Sequence, residues 1–202
     1  MRSTLLGLLL SLFSANLIAQ EDSIKLVRGV AVSGDGIMGN YLDFEHILIY
    51  PNYHVSIKKH NLGLGPLIQL GENFWGYWDD GPALAGAQLY YKHFPSYSDN
   101  KISLNFRYDL MFQYDKRKEA LFTNVRVVYK TWVLSNYIGY GFNLKFGKGY
   151  YLEQGISFGW EHWVHSGDHT DNQYDYRSTY DQASMLVRLG IGYIFEPSEY
   201  SE

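Results

Sequence analysis

The most regular part of the chain is a run in which apolar and polar residues alternate one for one. In "KISLNFRYDLMFQYD", positions 101–115, every second residue from Ile102 to Tyr114 is apolar or aromatic, and most of the residues between them are polar or charged. A period of two predicts a strand, because successive side chains of a strand point to opposite faces, whereas a helix repeats every 3.6 residues. The same alternation recurs at 131–146, 151–164 and 183–195.

Four earlier segments alternate less regularly, and they bring the number of predicted strands to eight. They are 24–33, 40–50, 53–65 and 83–94. If the last strand ends at an inner, periplasmic side, the inner turns are short and built of turn residues. They read "PN" at 51–52, "PSYSDN" at 95–100 and "GKG" at 147–149. The outer connectors are then 34–39, 66–82, 115–124 and 165–182, of which three are long. Short inner turns alternating with longer outer loops are typical of an antiparallel up-and-down transmembrane barrel.

The alternation does not by itself decide which face of the barrel is apolar. A soluble barrel that binds an apolar ligand would place the aromatic face inside, whereas a membrane barrel places it outside. The sequence favours the membrane barrel, because an eight-stranded interior only just accommodates side chains and this bulky aromatic set would overfill it. The opposite faces combine glycine with charges of both signs. These charges are Asp43, Glu45, Lys58, Lys92, Arg107, Asp109, Glu153, Glu161 and Arg188. We interpret them as a packed, mutually neutralising network rather than an ion path, because unpaired buried charges are costly.

The N-terminus predicts export. In "MRSTLLGLLLSLFSANLIAQED", Arg2 precedes an apolar stretch from Leu5 to Phe13, and Ala19 precedes Gln20. This pattern predicts a secretory signal peptide at 1–19, followed by a barrel domain at 20–202. The chain has no cysteine, which suits a bacterial exported protein without disulfides.

The amino-acid composition and the charge balance limit the classes of molecule that the protein is expected to bind. Aromatic residues make up 17% of the chain, and once Arg2 is removed 16 basic residues face 21 acidic ones. With no basic block, we expect no nucleic-acid binding.

The stretch "RLGIGYIF", positions 188–195, carries a specific motif. Arg188, Gly190, Tyr193 and Phe195 place a polar residue, a glycine and two aromatics at fixed offsets. This spacing resembles the C-terminal strand signal that the assembly machinery of bacterial outer membranes reads, although seven residues follow Phe195 here. The whole region 20–202 resembles the small eight-stranded barrels of the OmpX and OmpA type. The resemblance implies an outer-membrane location, a monomer in contact with outer-membrane lipid and the assembly machinery, and no shared catalytic residues or cofactor.

One cluster suggests chemistry. The segment "EHWVHSGDHTDNQYD", positions 161–175, contains His162, His165, Ser166, Asp168 and His169. These residue types suit a divalent metal or the base and nucleophile of an acyl hydrolase, with His165, Ser166 and Asp168 as the candidate catalytic residues. The spacing matches no metal or hydrolase motif, and His162 shares the lipid-side parity of Trp160. We therefore favour a solvated outer loop without a metal.

A second cluster suggests binding. The segment "GENFWGYWDDGP", positions 71–82, contains Trp75, Tyr77 and Trp78, which are candidates for stacking on sugars or docking a partner. An aromatic girdle in the lipid headgroup layer is the commoner use of such residues. The segment "GDGIMG" at 34–39 lacks a helix behind it and is interpreted as a turn, not as a phosphate loop.

The sequence thus predicts a small non-enzymatic barrel with an envelope-structural or surface-interaction role through outer loops 66–82 and 165–182. A lipid-modifying outer-membrane hydrolase built on His165 and Ser166 is the first alternative. A soluble periplasmic barrel for an apolar ligand is the second.

Overall fold

The protein forms one closed antiparallel barrel of eight strands. The computed structural model describes residues 26–38, 44–70, 83–95, 101–122, 125–169 and 176–195. The strands are β1 (Leu26–Met38), β2 (Phe44–Ile57), β3 (His60–Gln69), β4 (Ala83–His93), β5 (Ile102–Phe122), β6 (Val125–Phe146), β7 (Tyr150–His169) and β8 (Tyr176–Phe195). Each strand pairs with its neighbours in sequence, and β8 closes the barrel by pairing with β1. The predicted fold class and strand number are confirmed.

No helix within these ranges is long and apolar enough to cross a membrane.

The apolar face of the barrel is its outside. On β5 the side chains of Ile102, Leu104 and Phe106 are each about 60% exposed, while Arg107 and Asp109 are buried in the lumen. The exposed apolar run on β5 extends from Ile102 to Phe112. Its ten residue steps of about 3.3 Å, on strands tilted by about 40°, cover about 25 Å, which is the height of the apolar band of outer-membrane barrels. The soluble-barrel alternative is therefore wrong, because its apolar side chains would have to line the interior.

The single polar residue within the apolar face of β6 is satisfied locally. Asn136 interrupts the alternation of β6, and its Oδ1 accepts a hydrogen bond of 2.8 Å from the hydroxyl of Tyr108 on β5. A polar group that faces lipid needs such a partner, because no water is present to provide one.

The inner turn predicted at 51–52 is wrong. Pro51 lies inside β2, and the chain turns at Lys58 and Lys59, where Lys58 has a positive φ of 53°. The ladder between β2 and β3 is interrupted around Pro51, and the flanking register places Pro66 opposite it. Two residues without an N–H group thus face each other where the ladder is open. Gly65 permits this close approach, since an added Cβ would lie 2.0 Å from the carbonyl oxygen of Pro51.

All four predicted outer connectors lie partly within strands. Residues 34–38 belong to β1, residues 115–122 to β5, and β7 and β8 continue to His169 and from Tyr176. Residues 66–69 likewise belong to β3. The error has a physical reason: apolar alternation stops where a strand leaves the lipid, but the backbone ladder continues because its hydrogen bonds do not require apolar side chains. At 20 to 22 residues, β5–β8 are about twice as long as the nine to eleven residues that a membrane-crossing strand needs.

Candidate functional site

The centre of the lumen holds a chain of six buried charges. Alternation along five strands turns these side chains inward, and none is more than 6% exposed. They are Asp35, Lys92, Arg107, Asp109, Glu153 and Arg188. Three are acidic and three are basic, so the formal charge of this central charge chain is zero.

Arg188 of β8 joins two carboxylates from opposite sides of the lumen. Its Nε donates to Asp35 Oδ1 at 2.5 Å, and its Nη2 donates to Asp35 Oδ2. Its Nη1 donates to Asp109 Oδ1 at 3.1 Å. Asp35 and Arg188 lie opposite each other in the β1–β8 register, so the closure of the barrel creates this bidentate pair.

Arg107 continues the chain. Its Nε lies 2.8 Å from both carboxylate oxygens of Asp109, and its Nη1 donates to Glu153. The ammonium of Lys92 donates to the other oxygen of Glu153 at 2.6 Å. The charges therefore alternate in sign from Asp35 through Arg188, Asp109, Arg107 and Glu153 to Lys92, and each is compensated by a neighbour.

Aromatic rings and amides fill the space around the charges. The guanidinium carbon of Arg107 lies 4.0 Å from the centroid of the Tyr90 ring, and Lys92 Nζ lies 4.7 Å from it. The Tyr90 hydroxyl donates to Asn52 Oδ1 at 3.1 Å, and Gln88 Nε2 donates to Asp109 at 2.5 Å. Together these side chains form a cross-barrel plug of paired charges and rings.

The prediction of a neutralising network is confirmed for Lys92, Arg107, Asp109, Glu153 and Arg188. Glu161 is buried further out and accepts hydrogen bonds from Tyr137, Trp163 and Gln182 instead of joining the charge chain. Lys58 lies in the exposed inner turn. The side chains of Asp43 and Glu45 lie outside the described part of the chain.

Asp35 is the member that sequence reasoning missed. The sequence predicts a turn at 34–39, but Asp35 continues the inward face of β1 after Ala31 and Ser33, both of which are buried. Continuing the inward-facing alternation of β1 from Ser33 to the next residue on that face would have identified Asp35.

The histidine cluster of β7 is divided between the two faces of the barrel wall. His165 shares the lumen-side parity of Glu161, and its ring stacks with those of Trp163 and Tyr180 at centroid distances of 5.7 and 5.4 Å. Its Nδ1 lies 2.9 Å from Thr131 Oγ1. Partial burial lowers the pKa of His165 below its ordinary value, which keeps the imidazole neutral at pH 7.

Ser166 follows His165 on the strand and therefore takes the opposite face. It pairs in register with Lys130 and Arg177, and the structure does not bring its hydroxyl to the imidazole of His165. His162 is on the outer face, where its Nδ1 lies 2.7 Å from Oδ1 of Asp181. The backbone of Asp168 pairs with Val128, and the side chains of Asp168 and His169 lie outside the description.

Within the described ranges, no group of three His, Cys, Asp or Glu side chains is placed to hold a metal ion. The candidate binding residues Trp75, Tyr77 and Trp78 lie outside those ranges.

The residues of the C-terminal motif have distinct positions. Arg188 is the central cation of the plug, and Gly190 faces Ser33, whose Oγ would lie 2.6 Å from an added Cβ. Tyr193 and Phe195 lie on the outer side near the inner end, with ring centroids 5.6 Å apart, and Tyr193 also contacts Tyr150. The motif thus contributes both to the plug and to a group of aromatic rings at the turn-side end of the apolar band.

A closed eight-stranded barrel with an apolar outer band of membrane height and a charged, filled interior is the architecture of the small outer-membrane barrels. No protein-family model matches the chain, and no curated protein matches its sequence.

Among solved structures, the chain is similar to a major outer membrane protein from Thermus thermophilus, at 11% identity over 84% of this chain and 99% of that one, with a TM-score of 0.48. It is also similar to the outer membrane protease OmpT from Escherichia coli, at 9% identity over 85% of this chain and 96% of that one, with a TM-score of 0.33. Both TM-scores are below 0.5, so the class follows from the barrel's own geometry.

Proposed function

We propose that the protein is a small non-enzymatic barrel of a bacterial outer membrane, with a sealed lumen and a structural or surface-interaction role. The observation that carries the proposal is the charge chain from Asp35 to Lys92, which crosses the lumen without an uncompensated member. A channel lining would leave some of these charges solvated, whereas here they bind one another.

The outer ends of β5–β8 are the surface that this role would use. They rise beyond the apolar band and carry polar pairs, such as His162 with Asp181 on the outer face. On the lumen side they carry the stacked rings of Trp163 and Tyr180, whose centroids are 5.7 Å apart and whose planes differ by 7°. Contact with something outside the cell would therefore involve these strand ends in addition to segments 66–82 and 165–182.

The hydrolase alternative gains no support from the geometry. A hydrolase needs its base and nucleophile within hydrogen-bond reach of each other, and His165 and Ser166 face opposite sides of β7.

The proposal predicts that the protein does not conduct ions. In a planar lipid bilayer, purified barrel is expected to produce no discrete conductance steps, because no aqueous path crosses the plug. A porin reconstituted in the same way supplies the positive control. Reproducible single-channel steps from the heat-modifiable, folded form of this protein would contradict the proposal.

A further inference from the structure

The outer face of the wall carries two histidines beside the inner turn between β2 and β3. His60 of β3 is exposed and His93 of β4 is half-buried, whereas their strand neighbours Asn61 and Lys92 are buried in the lumen. Since neighbours along a strand take opposite faces, both imidazoles lie on the outer face. Leu62, the next outward-facing residue of β3, is an exposed apolar side chain. The histidine pair therefore lies at the inner edge of the apolar face.

Strand pairing holds the two imidazoles together. His60 and His93 are directly opposite each other in the register of β3 and β4. The adjacent pair of residues is hydrogen-bonded, since the N–H of Phe94 donates to the carbonyl oxygen of Lys59 at 2.8 Å. Hydrogen-bonded and non-hydrogen-bonded pairs alternate in an antiparallel ladder, so His60 and His93 form a non-hydrogen-bonded pair, in which side chains lie closer together. The backbone thus fixes the juxtaposition before any ligand binds.

The spacing of the two rings is that of imidazoles which share a metal ion. The ring centroids of His60 and His93 are 5.1 Å apart. With metal–nitrogen bonds of about 2.0–2.1 Å and nitrogen–metal–nitrogen angles of about 90–110°, two imidazoles on one ion have centroids about 4.5–5.3 Å apart. One ion can therefore bind both rings without a change in the strand register.

Tyr91 orients the imidazole of His60. Nδ1 of His60 lies 2.6 Å from the hydroxyl of Tyr91, and the two rings stack with centroids 5.8 Å apart. In the tautomer that carries its hydrogen on Nδ1, His60 donates to Tyr91 and keeps the lone pair of Nε2 for a ligand. Metal-binding histidines usually donate their other ring N–H in this way, which fixes both the tautomer and the ring orientation.

The ligand type specifies the class of ion. Imidazole nitrogen suits Zn²⁺, Ni²⁺ and Cu²⁺, of which Cu²⁺ binds most tightly, whereas Mg²⁺ and Ca²⁺ prefer oxygen. We propose that His60 and His93 bind one divalent transition-metal ion, through one nitrogen of each ring, with solvent oxygens completing the coordination and Tyr91 as the positioning residue. The ion ties β3 to β4 at the inner edge of the apolar face. This metal site goes beyond the sealed-barrel function and does not depend on it.

The test is a titration of the folded mature protein in detergent micelles with Cu²⁺ near neutral pH, followed by pulsed EPR, which counts the imidazoles bound to the ion. We expect the tightest site to hold one ion per barrel and two imidazoles. In His60→Gln and in His93→Gln we expect one imidazole at most and an affinity lower by about a hundredfold, because the second ring of the native pair binds intramolecularly. A tightest site with a single imidazole, or a two-imidazole signal that persists in either variant, would overturn the proposal.

Two further variants separate this pair from other histidines and test the role of Tyr91. His162→Gln removes another exposed outer-face histidine and is expected to leave the two-imidazole site unchanged. Tyr91→Phe is expected to keep both imidazoles on the ion but to weaken binding about tenfold, since it removes the partner of Nδ1. The heat shift of each variant in unheated gels confirms that the barrel is folded. Equal weakening by His162→Gln and His60→Gln would contradict the site, and unchanged affinity in Tyr91→Phe would contradict the positioning role.

Discussion

Replacing Arg188 with leucine is expected to cause the largest loss of stability of any single substitution in the lumen. The change leaves Asp35 and Asp109, both 0% exposed, without their shared cation. Removing one partner of a buried ion pair typically costs about 3–5 kcal/mol. The loss is measured as a lower urea midpoint for unfolding in lipid vesicles, together with a smaller fraction of the fast-migrating form in unheated gel samples.

Two further variants show whether charge compensation is the cause. Arg177 lies on the same strand as Arg188 but is exposed. Arg177→Leu is therefore expected to unfold at the same urea concentration as the unmodified protein. Adding Asp35→Asn to Arg188→Leu restores equal numbers of positive and negative charges in the plug, and it is expected to recover part of the loss. If Arg188→Leu unfolded at the same urea concentration as the unmodified protein, the plug would not stabilise the barrel.

Ile138→Arg is expected to cause the second largest loss of stability. It changes the outer, apolar face of the barrel wall, whereas Arg188 lies in the lumen. Ile138 is 69% exposed and lies midway along the exposed apolar run of β6, which extends from Trp132 to Phe146. An arginine on the lipid face near the bilayer midplane destabilises a barrel by about 2–4 kcal/mol. The effect is measured as a lower urea midpoint in vesicles.

Thr179→Arg serves as the matched control for Ile138→Arg. Thr179 is an exposed residue of β8 that pairs with Val164, in the part of the barrel beyond the apolar band. Introducing the same side chain there is expected to change stability little, because water solvates it. Equal effects of the two substitutions would mean that the exposed apolar band does not lie in lipid.

The sequence predicted the central segments of β5–β8 because lipid on one side and a packed lumen on the other impose a strict period of two. It failed where those two environments end. The extension of β7 to His169 carries no apolar alternation, so its ladder could not be distinguished from a polar loop. The turn predicted at Pro51 and Asn52 was wrong for a different reason. A proline followed by asparagine is a common turn signal, and only the position of Pro66 on the neighbouring strand shows that the ladder is open there.

The membership of the plug was partly predictable, but its pairing was not. Parity alone places Arg107, Asp109 and Arg188 inside the barrel. The bidentate pair of Arg188 with Asp35 joins residues 153 positions apart, and it depends on the register with which β8 meets β1. Once β7 is known to continue through His165 and Ser166, the alternation of a strand places these two neighbours on opposite faces of the wall.

Contact between the apolar face of the wall and lipid can be tested at one residue, because the chain contains no cysteine. Ile138→Cys would be labelled with a small fluorophore and reconstituted in vesicles, with Thr179→Cys as the comparison site beyond the band. The structure predicts that brominated lipid chains quench the label at position 138 and aqueous iodide does not, while iodide quenches the label at position 179. Quenching of position 138 by iodide, with no effect of brominated lipids, would show that this face of the barrel does not lie in a membrane.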